Sequence, residues 1–462
     1  MPGPSPLDLR PLLEARSVAI VGASASAHKI GGRPVAYLKR SGFAGRIVPI
    51  NPDRKEIQGL QAFPTLRATE PVDIAVIVTP AEGVEAAVDD CLAAGTKAMV
   101  LLSSGFAETG AEGRRRQEEL AKKAGAAGSV LLGPNCLGVF NAWIGLTATF
   151  TTALDEAMPS KGGFSYFGQS GALGAYWMNL AMASNLGVAK WITTGNEAHI
   201  SLADALNYLA NDAETKVIGG YIEDIKNPGA FRAAAQAAAR NGKAVMAIKA
   251  GRSAIGARAV TAHTGADAGD DKVYQKLLDE CGIVRVDSLA AMNETARLML
   301  SPRGPCSGQR LAVVSVSGGA GVLIADAASD VGLDMPDFNA ADKAALKACI
   351  PSFATAQNPL DITGSVVADT SNFARTLDLV TNSPEHDVAL IFIGSMRSIA
   401  EDLVAGIKRA AAGSKKPLAV IWIGAMADTV AALEAAGVPT FDEIPPAMRA
   451  LARAKVLRGN AR

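Results

Sequence analysis

The chain has 462 residues, 49% of them hydrophobic, and its 45 Lys and Arg balance 45 Asp and Glu to a formal net charge of zero. At roughly 150 residues per domain, that length predicts about three domains with sizeable cores and excludes a disordered chain. The even charge excludes nucleic acid and an acidic membrane as partners, because the one compact basic cluster, Arg114-Arg115-Arg116, sits among Glu112, Glu118 and Glu119 and reads as a solvated helix face.

The first sixteen residues carry Asp8 and Glu14 and no apolar run, and no stretch of about 18 apolar residues follows, so neither a signal peptide nor a membrane span is expected. The five cysteines (Cys91, Cys136, Cys281, Cys306 and Cys349) are far apart and form no CxxC pair. Neither a disulfide framework nor a zinc site is expected, and reduced thiols fit a cytoplasmic protein.

Three times an apolar strand runs into a turn of small residues and then a helix-like pattern. These are Val18-Ala19-Ile20-Val21-Gly22-Ala23-Ser24, Phe164-Ser165-Tyr166-Phe167-Gly168-Gln169-Ser170-Gly171 and Leu311-Ala312-Val313-Val314-Ser315-Val316-Ser317-Gly318-Gly319. Each is expected to open a doubly wound α/β domain, in which the first strand's carboxyl end and the next helix N-terminus present free N–H groups to a ligand. Buried-type runs at 46–50, 74–78 and 99–102 continue the first unit. Runs at 189–193, 217–222 and 244–248 continue the second, and runs at 388–393 and 418–423 the third. Separated by helix-length segments, they predict parallel strands with crossover helices. The expected domains are 1–145, 146–303 and 304–462, with joints at the Pro/Gly-rich stretches near 145–162 and 301–305.

In the first unit the turn lacks GxGxxG spacing, and the second strand ends in Asn51-Pro52 where a dinucleotide fold would place an acid for the ribose. A dehydrogenase is therefore disfavoured. Gly22, Ala23 and Ser24 still let backbone approach a phosphate, and Ser103, Ser104 and Asn135 end further strands on the same edge. Singly each is turn chemistry; together they point to a nucleotide-bearing ligand.

In the second unit, Ser170 caps a helix pattern over 172–185, with Gly187 beyond it as a stop. It serves either as a plain structural cap or as an anion site on the helix dipole. Glu223 and Asp224 end a strand of the same sheet, and Glu223 either steadies an imidazole or pairs with Lys226. That imidazole is His263, in the small-residue run Ala259-Val260-Thr261-Ala262-His263-Thr264-Gly265-Ala266. It either ties down a loop or, presented to the solvent, accepts a phosphoryl group on one ring nitrogen while a partner holds the other. No GxxxxGK[ST] is present, so the chain has no P-loop of its own. No carboxylate cluster has metal-ligand spacing, and no metal site is expected here.

The ordered set Val21-Gly22-Ala23-Ser24, Ile50-Asn51-Pro52, Gly133-Pro134-Asn135-Cys136-Leu137-Gly138, Gln169-Ser170-Gly171-Ala172-Leu173-Gly174, Gly195-Asn196-Glu197, Tyr221-Ile222-Glu223, Lys249-Ala250-Gly251-Arg252 and His263-Thr264-Gly265-Ala266 resembles the NDP-forming acyl-CoA synthetases, relatives of succinyl-CoA synthetase. Gly318-Gly319-Ala320-Gly321 and Asn358-Pro359-Leu360-Asp361 resemble that family's third domain, so the chain is similar to an alpha subunit.

The resemblance implies a Rossmann-like CoA-binding domain followed by two flavodoxin-like domains. It implies CoA on Gly22, Ala23, Ser24, Asn51, Ser103, Ser104 and Asn135; phosphate held at Gly168, Ser170 and Gly171; phosphorylation of His263 supported by Glu223; and a substrate-side role for Gly318 and Gly319. It further implies an acyl phosphate displaced by the CoA thiolate, with His263 catching the phosphate and carrying it to a nucleotide on another polypeptide. That polypeptide would be an ATP-grasp beta subunit in a hetero-oligomer, holding Mg²⁺ with ATP or GTP, and the substrate a small carboxylic acid.

Two positions depart from the family pattern: Gly168 stands where many members carry serine, and Ala198-His199 where an acid is common. His199, His28 and His386 read as surface or packing residues. The alternative, a non-catalytic CoA-binding sensor or scaffold subunit, has no use for His263, Glu223 and Ser170 together.

Overall fold

Strand β1 (Ser17–Val21) alternates its side chains between two packed layers, Val18 and Ile20 into one and Ala19 and Val21 into the other, which is the pattern of a sheet covered on both faces. β2 (Arg46–Ile50), β3 (Ile74–Ile77), β4 (Ala98–Leu101) and β5 (Val130–Leu132) complete a parallel sheet in the order β2-β1-β3-β4-β5. This computed structural model describes residues 6–264, 269–302, 309–414 and 416–461; the side chains of 262–264 lie outside the described residues. The chain folds as two compact units, the first running to Leu289 and the second from Ala290 to Asn460.

The first unit holds a second sheet. β8 (Lys161–Gly168), β9 (Val188–Thr193), β10 (Val217–Ile222), β11 (Ala244–Lys249) and β12 (Val284–Arg285) are parallel in the order β12-β11-β10-β8-β9. β6 (Gly138–Asn141) and β7 (Leu146–Thr149) add an antiparallel edge to β9. The second unit carries β13 (Leu311–Ser315), β14 (Leu360–Asp361), β15 (Val388–Gly394), β16 (Leu418–Ile423) and β17 (Thr440–Phe441) in the order β14-β13-β15-β16-β17.

Counting only the parallel strands, each sheet has the order 2-1-3-4-5. The strand order reverses beside each sheet's first strand, and in such sheets ligands sit outside the strand carboxyl ends at that point. The chain is α/β throughout, three doubly wound sheets in succession.

Three local outcomes differ from the sequence reading. The helix after β1 does not follow its turn directly: residues 22–32 form a loop, and the helix is Arg33–Arg40, with Pro34 in its first turn. The run expected to be a loop around position 263 is helical as far as Thr264 (Ala254–Thr264), in keeping with four alanines in eleven residues. The helix Leu289–Met299 packs in the second unit, where Arg297 pairs with Glu434 and donates to Thr440 O at 3.1 Å; the expected joint at 303/304 lies outside the described residues.

Candidate functional site

At the carboxyl end of β1, the Gly22 and Ala23 N–H groups donate to Ile50 O at 3.0 and 3.1 Å, which bends the chain over the neighbouring strand. Gly22 has φ +89°, and a Cβ there would lie 3.3 Å from Val78 Cγ2 on β3's extension. Asn51 braces this turn: its Nδ2 donates to Ala23 O at 2.8 Å, and its Oδ1 accepts from Asp53 N at 2.9 Å. Ser24 N donates to Gly31 O, and a Cβ on Gly31 would sit 2.2 Å from Gly22 O, so this glycine is required where the loop returns. Gln58, which the sequence reading passed over, closes the loop by donating to Ser24 O at 3.1 Å and Gly32 O at 3.0 Å.

Farther along the same edge, Ser103 Oγ donates to Thr79 O, and Asn135 N donates to Ser103 O at 2.9 Å. Ser104 is exposed beside them. The candidate CoA residues thus line one strand-end edge, at the ends of β2, β1, β4 and β5.

On the second sheet, Ser170 caps the helix Gly171–Ala183 by accepting from Leu173 N at 3.3 Å. Gly168 and Gly171 are held to small size by packing: a Cβ on Gly168 would meet the Tyr166 hydroxyl at 2.8 Å, and one on Gly171 would meet Leu137 Cγ at 2.6 Å. That explains glycine at 168 in this chain. Gln169 joins the cap to the next strand: its Oε1 accepts from Glu223 N at 2.6 Å and Asp224 N at 3.1 Å, and its Nε2 donates to Asp224 O at 3.0 Å.

Glu223 is buried, 4% exposed. Burial and the hydrogen-bonded Glu223 carboxylate push the Tyr221 phenol up to about 12. Lys249, at the end of β11, donates to Glu223 O at 2.8 Å and Ala250 O at 2.6 Å and stands 4.1 Å from the Tyr274 ring centroid. Its pKa is depressed by burial, against the attraction of Asp271. Tyr274 in turn donates to Asp224 Oδ1 at 2.8 Å. An open cleft of about 480 Å³ follows, lined by Lys249, Ala250, Gly251, Arg252, Ser253 and Asp271. It lies at the start of the helix that contains position 263; the side chain of His263 itself lies outside the described residues.

The two edges meet in one seam. Asn196 N donates to Pro134 O at 2.9 Å, Ala198 N to Gly133 O at 3.0 Å and Ile200 N to Leu131 O at 3.2 Å, so the segment after β9 runs alongside the end of β5. Asn135 Nδ2 reaches Asn196 Oδ1 at 3.3 Å, and Asn196 Nδ2 donates to Glu108 Oε2 at 2.5 Å and Gln117 Oε1 at 3.0 Å. Burial acts to raise Glu108, but hydrogen bonds from Asn196 and from the Gly105 and Phe106 N–H groups outweigh it and hold the carboxyl below its ordinary range. Asn196 and Gln117 were not among the expected site residues; the motif Gly195-Asn196-Glu197 was the available signal.

Lys226 Nζ donates to Asn196 O at 2.7 Å and Glu197 O at 2.9 Å, so its bonds go to the segment after β9. Arg115 bridges Glu112 and Glu119 on an exposed helix face. His386 is buried against Phe338 and bonded to Pro336 O at 2.9 Å. The described cysteines, Cys91, Cys136, Cys281 and Cys349, are free and buried, and burial pushes Cys91 and Cys136 up to about 12. Among the described residues no helix is long and apolar enough to cross a membrane, and no group of three His, Cys, Asp or Glu is placed to hold a metal ion.

In the second unit, Gly318 and Gly319 open the helix Gly318–Asp330, capped by Ser317 Oγ accepting from Ala320 N at 3.4 Å. A Cβ on Gly318 would lie 2.8 Å from Asp361 Oδ2, whereas one on Gly319 meets open space.

Three family models match successive parts of the chain: a CoA binding domain over residues 16–142, a succinyl-CoA ligase like flavodoxin domain over 161–299 and a Ligase-CoA domain over 311–426. The chain is 32% identical over 436 residues to the alpha subunit of ADP-forming acetate–CoA ligase II from Pyrococcus furiosus, covering 92% of this chain and 93% of that one. The chain belongs to the ADP-forming acyl-CoA ligases. Within this ligase family, the ADP-forming acetate–CoA ligase I of Archaeoglobus fulgidus is 34% identical over 383 residues, which are 83% of this chain but 54% of that longer protein. Among solved structures, the acetyl-coenzyme A synthetase 1 of Ca. Korarchaeum cryptofilum, in complex with phosphate and ADP, superposes with a TM-score of 0.89 at 31% identity, covering 98% of this ligase chain and 97% of that one.

Proposed function

We propose that the chain is the alpha subunit of an NDP-forming acyl-CoA synthetase, making acyl-CoA reversibly from a small carboxylic acid, CoA and ATP or GTP, with release of the nucleoside diphosphate and phosphate. The observation that carries this reading is the Gln169 bridge, which ties the Ser170 helix N-terminus to the Glu223 strand end where the strand order reverses. CoA lies along Gly22, Ala23, Ser24, Asn51, Ser103, Ser104 and Asn135. A phosphate lies against the N–H groups near Gly168, Ser170 and Gly171, where a helix N-terminus favours negative charge. Gly318 and Gly319 act on the acid substrate's side. The first two domains divide near residue 145, the third begins with the helix Leu289–Met299, and the free buried thiols support a cytoplasmic setting.

Conservation of atoms sets the order of steps. Inorganic phosphate released by the thiolate cannot load an imidazole, because nothing then leaves from phosphorus. In the direction of thioester formation, a neutral His263 nitrogen attacks the nucleotide's terminal phosphorus and NDP leaves. The acid's carboxylate oxygen then takes the phosphoryl group, giving acyl phosphate. The CoA thiolate attacks the acyl carbon, and phosphate leaves. Glu223 stabilises the positive charge on the phosphorylated imidazole. The nucleotide and its Mg²⁺ belong on an ATP-grasp beta subunit, since this chain lacks a P-loop.

The test is division of labour. The purified chain alone should neither hydrolyse ATP nor make acyl-CoA, and adding a matched beta subunit should restore both ligation and an acid-labile phosphoprotein. Acyl-CoA formation from acid, CoA and ATP by the chain free of other polypeptides overturns the subunit reading.

A further inference from the structure

Glu197 is a buried carboxylate with one oxygen committed and one not. It is 6% exposed and sits in a left-handed backbone conformation, φ +55°, between the two candidate edges. Its Oε1 accepts from Thr194 Oγ1 at 3.0 Å and Leu202 N at 2.8 Å, which braces the loop into the following helix. An amide oxygen would brace the loop equally well, so bracing does not account for a carboxylate. Oε2 is buried and has no hydrogen-bond partner among the described residues. A buried carboxyl oxygen without a donor is costly, and its retention points to a task.

Thr194, the donor to Oε1, also donates its N–H to Gly168 O at 2.9 Å, which sets this carboxyl beside the end of β8 and the Gln169 carboxamide that follows it. The carboxamide's own bonds are nearly all assigned: Oε1 is taken by the Glu223 and Asp224 N–H groups, and one Nε2 hydrogen goes to Asp224 O. One Nε2 hydrogen remains. We propose that Glu197 is a positioning residue for phosphoryl transfer: its carboxylate takes that last hydrogen, fixes the Gln169 amide in one orientation, and through it fixes the backbone that aims Glu223. The inference rests on the phosphohistidine reading above. An amide free to flip would turn Nε2 toward two backbone N–H groups and release the Glu223–Asp224 turn.

Burial lifts the Glu197 carboxyl to about 7, against the pull of the Lys226 ammonium, the Thr194 and Leu202 donors and the Gln169 amide. Lys226 is the cation facing it; Glu223 and Asp224 lie beyond Gln169, Glu108 lies behind Asn196, and His199 and Asp204 follow on its own segment. The carboxylate is the stronger acceptor and has no hydroxyl to oppose the amide hydrogen, so positioning strengthens as pH rises through about 7.

The experiment uses the chain assembled with its beta subunit and follows labelling of His263 from ATP between pH 6 and 8.5. Wild type should label faster as pH rises through neutrality. Glu197→Gln should label about tenfold more slowly at pH 8 and lose that limb of the profile, with CoA affinity held and stability no lower than that of wild type. Glu197→Asp keeps the charge but shortens the reach, and should be slowed as well. Wild-type labelling and profile in Glu197→Gln overturn the inference. If that variant does not fold, a wild-type rate in Glu197→Asp does so. Absence of acid-labile label in the wild-type complex overturns the phosphohistidine reading instead, so the two failures are distinguishable.

Discussion

The Glu223 N–H donates to Gln169 Oε1 at 2.6 Å across 54 residues of sequence. β8 and β10 are adjacent in the sheet although β9 lies between them in the chain, and that adjacency brings the helix cap at Ser170 beside the carboxylate at Glu223. A single amide side chain then fixes the distance between an anion-favouring helix N-terminus and an acid able to support a cationic ring. The proposed phosphoryl transfer rests on this crossover.

The CoA assignment turns on Gly22. Its φ of +89° is one that side chains rarely adopt, and a Cβ there would press on Val78. Gly22→Val should lower CoA affinity by at least an order of magnitude, measured by calorimetry, while His263 still labels in the presence of the partner. Unchanged CoA affinity in a folded Gly22→Val protein, or tighter binding of NAD than of CoA by wild type, removes the assignment.

The seam supports a stability prediction. Asn196 Nδ2 contacts the Glu108 carboxylate at 2.5 Å, and Glu108 is held ionised by this donor and by two backbone N–H groups. Asn196→Asp replaces that donor with a second carboxylate in a partly buried site. The expected cost is about 2–3 kcal/mol at pH 7, read by denaturant unfolding, and smaller at pH 4 where one acid is protonated. A cost below about 0.5 kcal/mol, within the range of ordinary surface changes, counts against the seam as drawn.

The strands were legible because buried parallel strands are written as short apolar runs, and a helix cap needs only Ser170 before a helical pattern. Glu223 and Asn135 could be placed on their edges for the same reason: strand ends inherit position from the run before them. Gln58 could not, since its bonds to Ser24 and Gly32 depend on how the 22–32 loop closes, which no period records. Asn196 meets Glu108 and Gln117 only because two sheets abut, and such contacts leave no local pattern. The antiparallel pair β6 and β7 was missed because it pairs with β9, some fifty residues later. The small residues of the Ala259–Ala266 run suggest a loop, yet alanine is the strongest helix former, and the backbone follows propensity through Thr264.

Glu197 gives the protein a pH dependence of known sign. Its carboxyl ionises near 4.5 when unfolded and near 7 when folded, so between those values the native state holds a proton that the unfolded chain has released. Stability from this group is full below about 4.5 and is lost as pH rises to about 7. By linkage the loss reaches up to about 3 kcal/mol. Comparing wild type with Glu197→Gln by chemical denaturation from pH 4.5 to 8 isolates it: the variant should gain on wild type as pH rises. Parallel stability curves would show that Glu197 titrates normally.

The last prediction concerns the phosphoryl acceptor. Phosphate on an imidazole nitrogen is lost in acid and survives alkali, because protonation of the ring makes it a good leaving group, whereas a phosphoserine survives acid; the two candidate acceptors, His263 and Ser170, can therefore be separated chemically. Incubating the chain with a matched beta subunit and labelled ATP should give an acid-labile phosphoprotein, and His263→Ala should abolish it. Glu223→Gln keeps the shape and the backbone bond to Gln169 but removes the charge that favours a cationic ring, and should slow labelling by roughly two orders of magnitude. Ser170→Ala removes the cap oxygen while the helix N–H groups stay, and should cost about one order. Wild-type turnover in His263→Ala would give position 263 a purely structural role and leave a CoA-binding scaffold as the function of the fold.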